Sequence, residues 1–139
     1  MRWRLKRRHR GSELIRCACL LVEHEQRVLL VRVRENQLWY LPGGTIESGE
    51  LAEEALVREI AEELGVKIEV SSITPANKIV GPAYGRDGQV ELNCFIASWT
   101  GTMNAQAEIS ELGWFGREDR DEVAPAIRLL FDELWSKIA

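Results

Sequence analysis

The stretch LPGGTIESGELAEEALVREIAEELGV, residues 41–66, decides how this chain is read. From Leu51 to Leu64 its apolar residues Ala52, Ala55, Leu56, Ile60 and Leu64 recur at the spacing of one buried helical stripe. Pro42-Gly43-Gly44 ends a short extended piece, Trp39-Tyr40-Leu41, and a loop over Thr45 to Gly49 leads into a helix expected from about Glu50. Gly65 supplies the stop, because a helix commonly ends on a residue in the left-handed conformation that glycine adopts without strain. Seven acidic residues crowd between Gly44 and Val66. On the helix, Glu59 lies three residues from Glu62 and four from Glu63, so the three carboxylates share one side. Like charges at that spacing repel by a few tenths (~0.2–0.5) of a kcal/mol per pair. A hard divalent cation would offset the repulsion, and Mg²⁺ is usually held by a few carboxylates plus substrate phosphates.

Around this segment, 139 residues with 45% hydrophobic content suffice for one compact core and fall short of two ordinary domains. The expected organisation is a basic, flexible N-terminal arm over residues 1–12 and a single domain over 13–139. Leu14 to Val22 and Arg27 to Arg34 read as strands around the polar turn Glu23-His24-Glu25-Gln26. The first is apolar on both faces and so wants cover on both sides. Lys67 to Val80 suggests a strand broken near Pro75, residues 81–88 a loop, and Gln89 to Trp99 and Glu111 to Phe115 further strands. Val123 to Ile138 reads as a second amphipathic helix with Ile127, Leu130, Phe131 and Leu134 inward. Strands needing cover on both faces, together with two helices, imply an α/β fold in which a mixed sheet lies between helices.

Residues 1–10 hold six of the 18 Lys and Arg, leaving 12 against 22 Asp and Glu in the rest, so a net charge of −4 hides a basic arm on an acidic body. Such an arm could bind nucleic acid, but a solvated terminus accounts for it more simply, since Trp3 is its only aromatic residue. No apolar run is long enough to span a bilayer and no small-residue cleavage site follows the basic start, so the reading is cytoplasmic without membrane association. Cys17, Cys19 and Cys94 are odd in number and lack metal-type spacing, so they read as buried thiols.

The order Gly44, Glu50, then Arg58-Glu59-Ile60-Ala61-Glu62-Glu63-Leu64-Gly65-Val66 resembles the Nudix box, Gly-x5-Glu-x7-Arg-Glu-U-x-Glu-Glu-x-Gly-U with U aliphatic, at every specified position. Leu41-Pro42-Gly43 before the box and Trp114-Phe115 after it look like further family features. The resemblance implies an α/β/α sandwich and metal-dependent hydrolysis of a pyrophosphate bond in a nucleoside diphosphate derivative: a nucleotide sugar, a dinucleoside polyphosphate or a nucleoside triphosphate. It makes Glu59, Glu62 and Glu63 ligands of Mg²⁺ or Mn²⁺, with Glu59 also a base for water. It lets the carbonyl of Gly43 complete the metal site and places Glu50 and Arg58 as groups that orient those ligands. Glu108 and Glu111 compete for the role of a later acid, with Glu108 preferred as the metal ligand. Arg32 and Arg34 become candidates for substrate phosphates and Tyr84 for the remainder of the substrate; Pro82 and Tyr84 fit two substrate hints of the family loosely. Two other readings stand beside this one: a nucleotide-binding regulator that kept the fold without turnover, and an RNA-end pyrophosphohydrolase that uses the basic arm. A homodimer is left open.

Overall fold

The computed structural model describes residues 14–136; the basic arm and the last three residues lie outside that range. Its strands are β1 (Leu14–Leu20), β2 (Glu23–His24), β3 (Arg27–Val33), β4 (Gly43–Thr45), β5 (Lys67–Ile68), β6 (Thr74–Pro82), β7 (Gln89–Ile96), β8 (Trp99–Thr100) and β9 (Ile109–Phe115). Two α-helices, α1 (Ala52–Leu64) and α2 (Pro125–Trp135), accompany them.

The central sheet runs β4-β1-β7-β6, with β1 parallel to β7 and the other two pairings antiparallel, so it is mixed as expected. A second ladder, β2-β3-β9, carries the end of the chain's first hairpin, and β5 pairs with β8 separately. Sheet alternation sorts the two helices. Gly44 pairs with Ala18, and a side chain at Gly44 would run into Glu59 of α1. Gly81 pairs with Val90, itself paired with Ile15, and a side chain at Gly81 would meet Leu129 and Ala126 of α2. Ala18 and Ile15 stand an odd number of residues apart on β1 and therefore face opposite ways. One helix covers each face of the central sheet, an α/β/α sandwich.

Burial follows the same logic. Cys17, Ala18, Cys19 and Leu20 are fully buried, which a strand apolar on both faces requires. Leu56, Ile60 and Leu64 are sealed under α1, each contributing roughly 1.5–3 kcal/mol by the removal of apolar surface from water. The three cysteines are buried and unbridged, as expected. On α2 the inward residues are Ala126, Ile127, Leu130, Phe131 and Trp135, with Leu134 only half-buried.

Several boundaries move. Lys67 to Val80 is two strands separated by a single 3₁₀ turn, Val70–Ser72, and they belong to different ladders. Pro75 does not end β6; the register slips between Pro75 and Lys78 instead, which an edge strand tolerates. Gly81 and Pro82 continue that edge strand rather than opening a loop. The strand expected to reach Trp99 stops at Ile96, because Trp99 and Thr100 pair with Ile68 and Lys67. Glu23 and His24 form β2, leaving Glu25 and Gln26 as a two-residue turn with φ of 52° and 61°, the positive values a tight hairpin demands. α2 begins at Pro125 rather than Val123, since Val123 bridges Trp39 and proline suits a helix's first turn.

Candidate active site

β4 is the floor of the site. Its strand pairing sets Cys19 opposite Gly43 and Cys17 opposite Thr45, and the Leu20 and Ile46 N–H groups continue the ladder to Pro42 and Arg16 carbonyls. Gly43 has φ of +142°, and a side chain there would strike the Ala18 carbonyl, so only glycine fits. Gly44 is required by crowding: an added Cβ would stand 2.5–2.8 Å from the Glu59 carboxyl group.

Helix α1 rises beside this floor. Its first turn is tied by the Leu51 N–H, which donates to Glu54 Oε1 at 2.8 Å, and its end is closed by Gly65 at φ 71°. Glu54 therefore caps the helix. Arg58, four residues on, is not its partner, because all three of its nitrogens are engaged elsewhere. Its Nε and Nη2 donate to the two oxygens of Glu50 at 2.8 Å each, Nη1 donates to Glu59 Oε2 at 2.7 Å, and Nη2 also reaches the Thr45 carbonyl at 3.1 Å. This bidentate fork holds Glu50 well below the usual carboxylate range. Glu50 in turn accepts the Glu47 N–H at 2.9 Å, so one arginine fastens the loop, the floor and the helix together.

Glu59 and Glu63 point into this junction and are each only 1% exposed. Glu63 Oε1 accepts the Gly43 N–H at 3.0 Å. Burial pushes the Glu63 carboxyl up to about 7, with the Gly43 N–H opposing and Glu59 reinforcing the shift. Glu62 is exposed. Along the side the three share, Glu62 stays at the solvent margin while Glu59 and Glu63, four apart, turn inward. Among the described residues no three acidic, histidine or cysteine side chains converge closely enough to grip one ion together.

The donor set nevertheless fits a hard divalent cation. It consists of two buried carboxylates beside a backbone floor, and burial disfavours the charged form of Glu63, a cost that a bound cation would offset.

The later acids separate. Glu111 is exposed, lies opposite Arg32 in the β3–β9 register and accepts Arg32 Nη1 at 3.3 Å. Arg32 also donates Nε to the Asn36 carbonyl at 3.1 Å and lies 5.9 Å over the Trp39 ring, so it is tied down on the sheet. Glu108 is half-buried in a turn that the Arg34 N–H and the last turn of α1 hold in place. Arg34 is exposed, with one long 3.5 Å bond to the Ala107 carbonyl. Tyr84 packs on Tyr40, ring centroids 5.8 Å apart, in a narrow crevice of about 10 Å³ walled by Pro82, Leu92 and Ile127 of the α2 side. Glu50, Arg58, Glu59 and Glu63 are thus gathered with Gly43 and Gly44 into one cluster. Arg32 and Glu111 pair with each other instead, Arg34 reaches the Ala107 carbonyl, and Tyr84 packs on Tyr40. Sequence reasoning missed Glu47 and Thr45 as partners of the anchor, whose backbone bonds leave no side-chain signature. It also missed Glu54 as the cap, although an acid three residues after the cap position is a recognised signal.

The NUDIX domain model matches residues 14–134, and the chain belongs to that family. A nucleoside triphosphatase NudI from Enterobacter sp. (strain 638) is 30% identical over 133 residues, covering 83% of this chain and 92% of that protein. A putative 8-oxo-dGTP diphosphatase from Bacillus subtilis (strain 168) is 36% identical over 97 residues, 68% of this chain and 61% of its own length. A MutT-like protein from Streptomyces ambofaciens matches over only 40% of its length, so the shared region spans less than two thirds of these two relatives. Among solved structures, the E. coli ORF135 protein superposes with a TM-score of 0.67 at 25% identity, covering 90% of this chain and 91% of that one. A MutT protein from Methanosarcina mazei Go1 gives 0.70 at 20% identity, covering 93% and 98%, and shares the fold. No helix among the described residues is long and apolar enough to cross a membrane.

Proposed function

We propose that this chain hydrolyses a pyrophosphate bond in a nucleoside diphosphate derivative, with a nucleoside triphosphate as the favoured substrate, and that the reaction needs Mg²⁺ or Mn²⁺. The observation that carries the reading is the junction of Glu59 and Glu63 against the Gly43–Gly44 floor, locked by the Arg58–Glu50 fork. Two relatives named for diphosphatase and triphosphatase action on nucleotides support the substrate class.

Glu59, Glu62 and Glu63 would hold the cation, with the Gly43 carbonyl and Glu108 as further ligands. When bound, it would neutralise phosphate charge and lower the pKa of a coordinated water. The chain's own residues prepare the place. Arg58 holds one Glu59 oxygen and so orients the carboxylate that would accept a proton from water. Gly43 and Gly44, lacking side chains, let the neighbouring strand and the Glu59 carboxyl close directly onto the floor of the site. Arg34, exposed at the end of β3, is the arginine best able to turn toward a phosphate, whereas Arg32 must first leave Glu111. Tyr84, half-exposed and backed by the buried Tyr40, offers an aromatic face for the nucleoside end.

The test is a panel of nucleoside triphosphates, nucleotide sugars and dinucleoside polyphosphates with Mg²⁺ and with Mn²⁺, following phosphate and nucleotide release. Turnover of triphosphates above the other classes is the expected result. No hydrolysis across the panel would leave a nucleotide-binding regulator as the better account.

A further inference from the structure

The last carbonyls of any α-helix lack partners within the helix and must find them elsewhere. At the end of α1 two of them are taken by a distant segment: the Asn104 N–H donates to the Leu64 carbonyl at 3.0 Å and the Gln106 N–H to the Glu63 carbonyl at 2.9 Å. The same segment then turns sharply. The Ile109 N–H donates to the Gln106 carbonyl at 3.0 Å, Ala107 sits at φ 57°, and the Arg34 N–H donates to the Glu108 carbonyl at 3.1 Å. A residue with a β-carbon in that left-handed region is held there only when its surroundings over-determine it. The side-chain amide of Gln106 also lies over Gly65, filling the space a β-carbon there would need. Gly65 is glycine for its own φ of 71°, and the amide of the exposed Gln106 rests in the room it leaves.

These contacts tie three things together. The turn carrying Glu108 is fixed at one side to the backbone of Glu63, at the other to the end of β3, and is covered at the helix end by the Gln106 side chain. We propose that Gln106 is a positioning residue for the metal site, setting Glu108 against the end of the carboxylate helix. This rests on the reading above that Glu108 is a ligand. Gln106 itself touches neither metal nor substrate; it acts by keeping its own N–H aligned on the Glu63 carbonyl and the following turn closed.

Mn²⁺ binding to the full-length protein, read by electron paramagnetic resonance without substrate, tests this apart from turnover. Gln106→Ala is expected to weaken Mn²⁺ binding about tenfold, the low end of the effect seen when a group that orients metal ligands is lost. Glu108→Gln added to Gln106→Ala should cost nothing further, because the ligand is already displaced. Gln106→Met, which fills the same space over Gly65, should bind as wild type does. Gln106→Ser, too short to cover Gly65, repeats the comparison if the alanine variant does not fold. Wild-type affinity in both Gln106→Ala and Gln106→Ser while Glu108→Gln binds weakly would overturn the inference, and so would fully additive losses in the double variant. Wild-type affinity in Glu108→Gln itself would remove Glu108 from the metal site, and the inference would fall with that assignment.

Discussion

Two arginines in this protein make nearly the same fork. Arg58 grips both oxygens of Glu50 at 2.8 Å, and Arg120 grips both oxygens of Asp132 at 3.0 and 2.8 Å. Their settings differ. The Arg58 and Glu50 side chains are 26% and 16% exposed, while Arg120 and Asp132 are 47% and 52% exposed on the outside of α2. Arg58 also reaches a buried carboxylate and a backbone carbonyl, whereas Arg120 makes a pair and nothing more with its side chain. Geometry alone therefore does not mark a functional arginine. What distinguishes Arg58 is that removing it would strand charge away from water, since a carboxylate left without its partner in a dry site bears the full desolvation penalty.

Six substitutions, in four tests, probe that contrast in order of decreasing effect. Glu59→Gln should lower turnover by more than the roughly 10–100-fold typical of losing an outer partner of a metal site, because on the proposed assignment it removes a ligand and the base at once. Circular dichroism should show a native spectrum, and an unfolded one would make Glu59 structural. Arg58→Ala should destabilise the fold by about 2–3 kcal/mol, somewhat less than the ~3–5 of a fully buried pair because this arginine is partly solvated. Arg120→Ala should leave the denaturation midpoint where it is. Equal effects at the two arginines would erase the distinction drawn between them. Gly44→Ala forces a methyl against the Glu59 carboxyl and should cost roughly 1–3 kcal/mol as overpacking does, with weaker Mn²⁺ binding as a second readout. Smallest of the set, Glu108→Gln should reduce activity more than Glu111→Gln, whose partner is Arg32 on the sheet; the reverse order, assayed at saturating metal, would exchange the two acids.

Much of this was legible in the sequence, for reasons that residues make plain. The helix over 52–64 carries its apolar stripe, its acid-rich first turn and its glycine stop in adjacent positions, so local pattern and final structure agree. The family resemblance found the cluster of Glu50, Arg58, Glu59 and Glu63 because those residues are local to one helix and its loop. Burial was the part that could not be read. Glutamates are almost always solvated, so nothing in the sequence announces that Glu59 and Glu63 are as hidden as leucines. Pro75 misled for a related reason: proline breaks an interior strand, but β6 lies at the sheet's edge, a fact that only the assembled strand order supplies. The attachment of residues 104–108 to the end of α1 is made by main-chain bonds across some forty positions, and main-chain donors carry no residue signature.

The central claim is that the carboxylates of α1 serve a divalent cation in hydrolysis. Its most direct test is to strip the full-length protein with chelator and follow cleavage of the best nucleotide from the panel while Mg²⁺ or Mn²⁺ is added back. The account predicts almost no turnover in excess chelator and a saturable return with either metal. Undiminished turnover in excess chelator would contradict it.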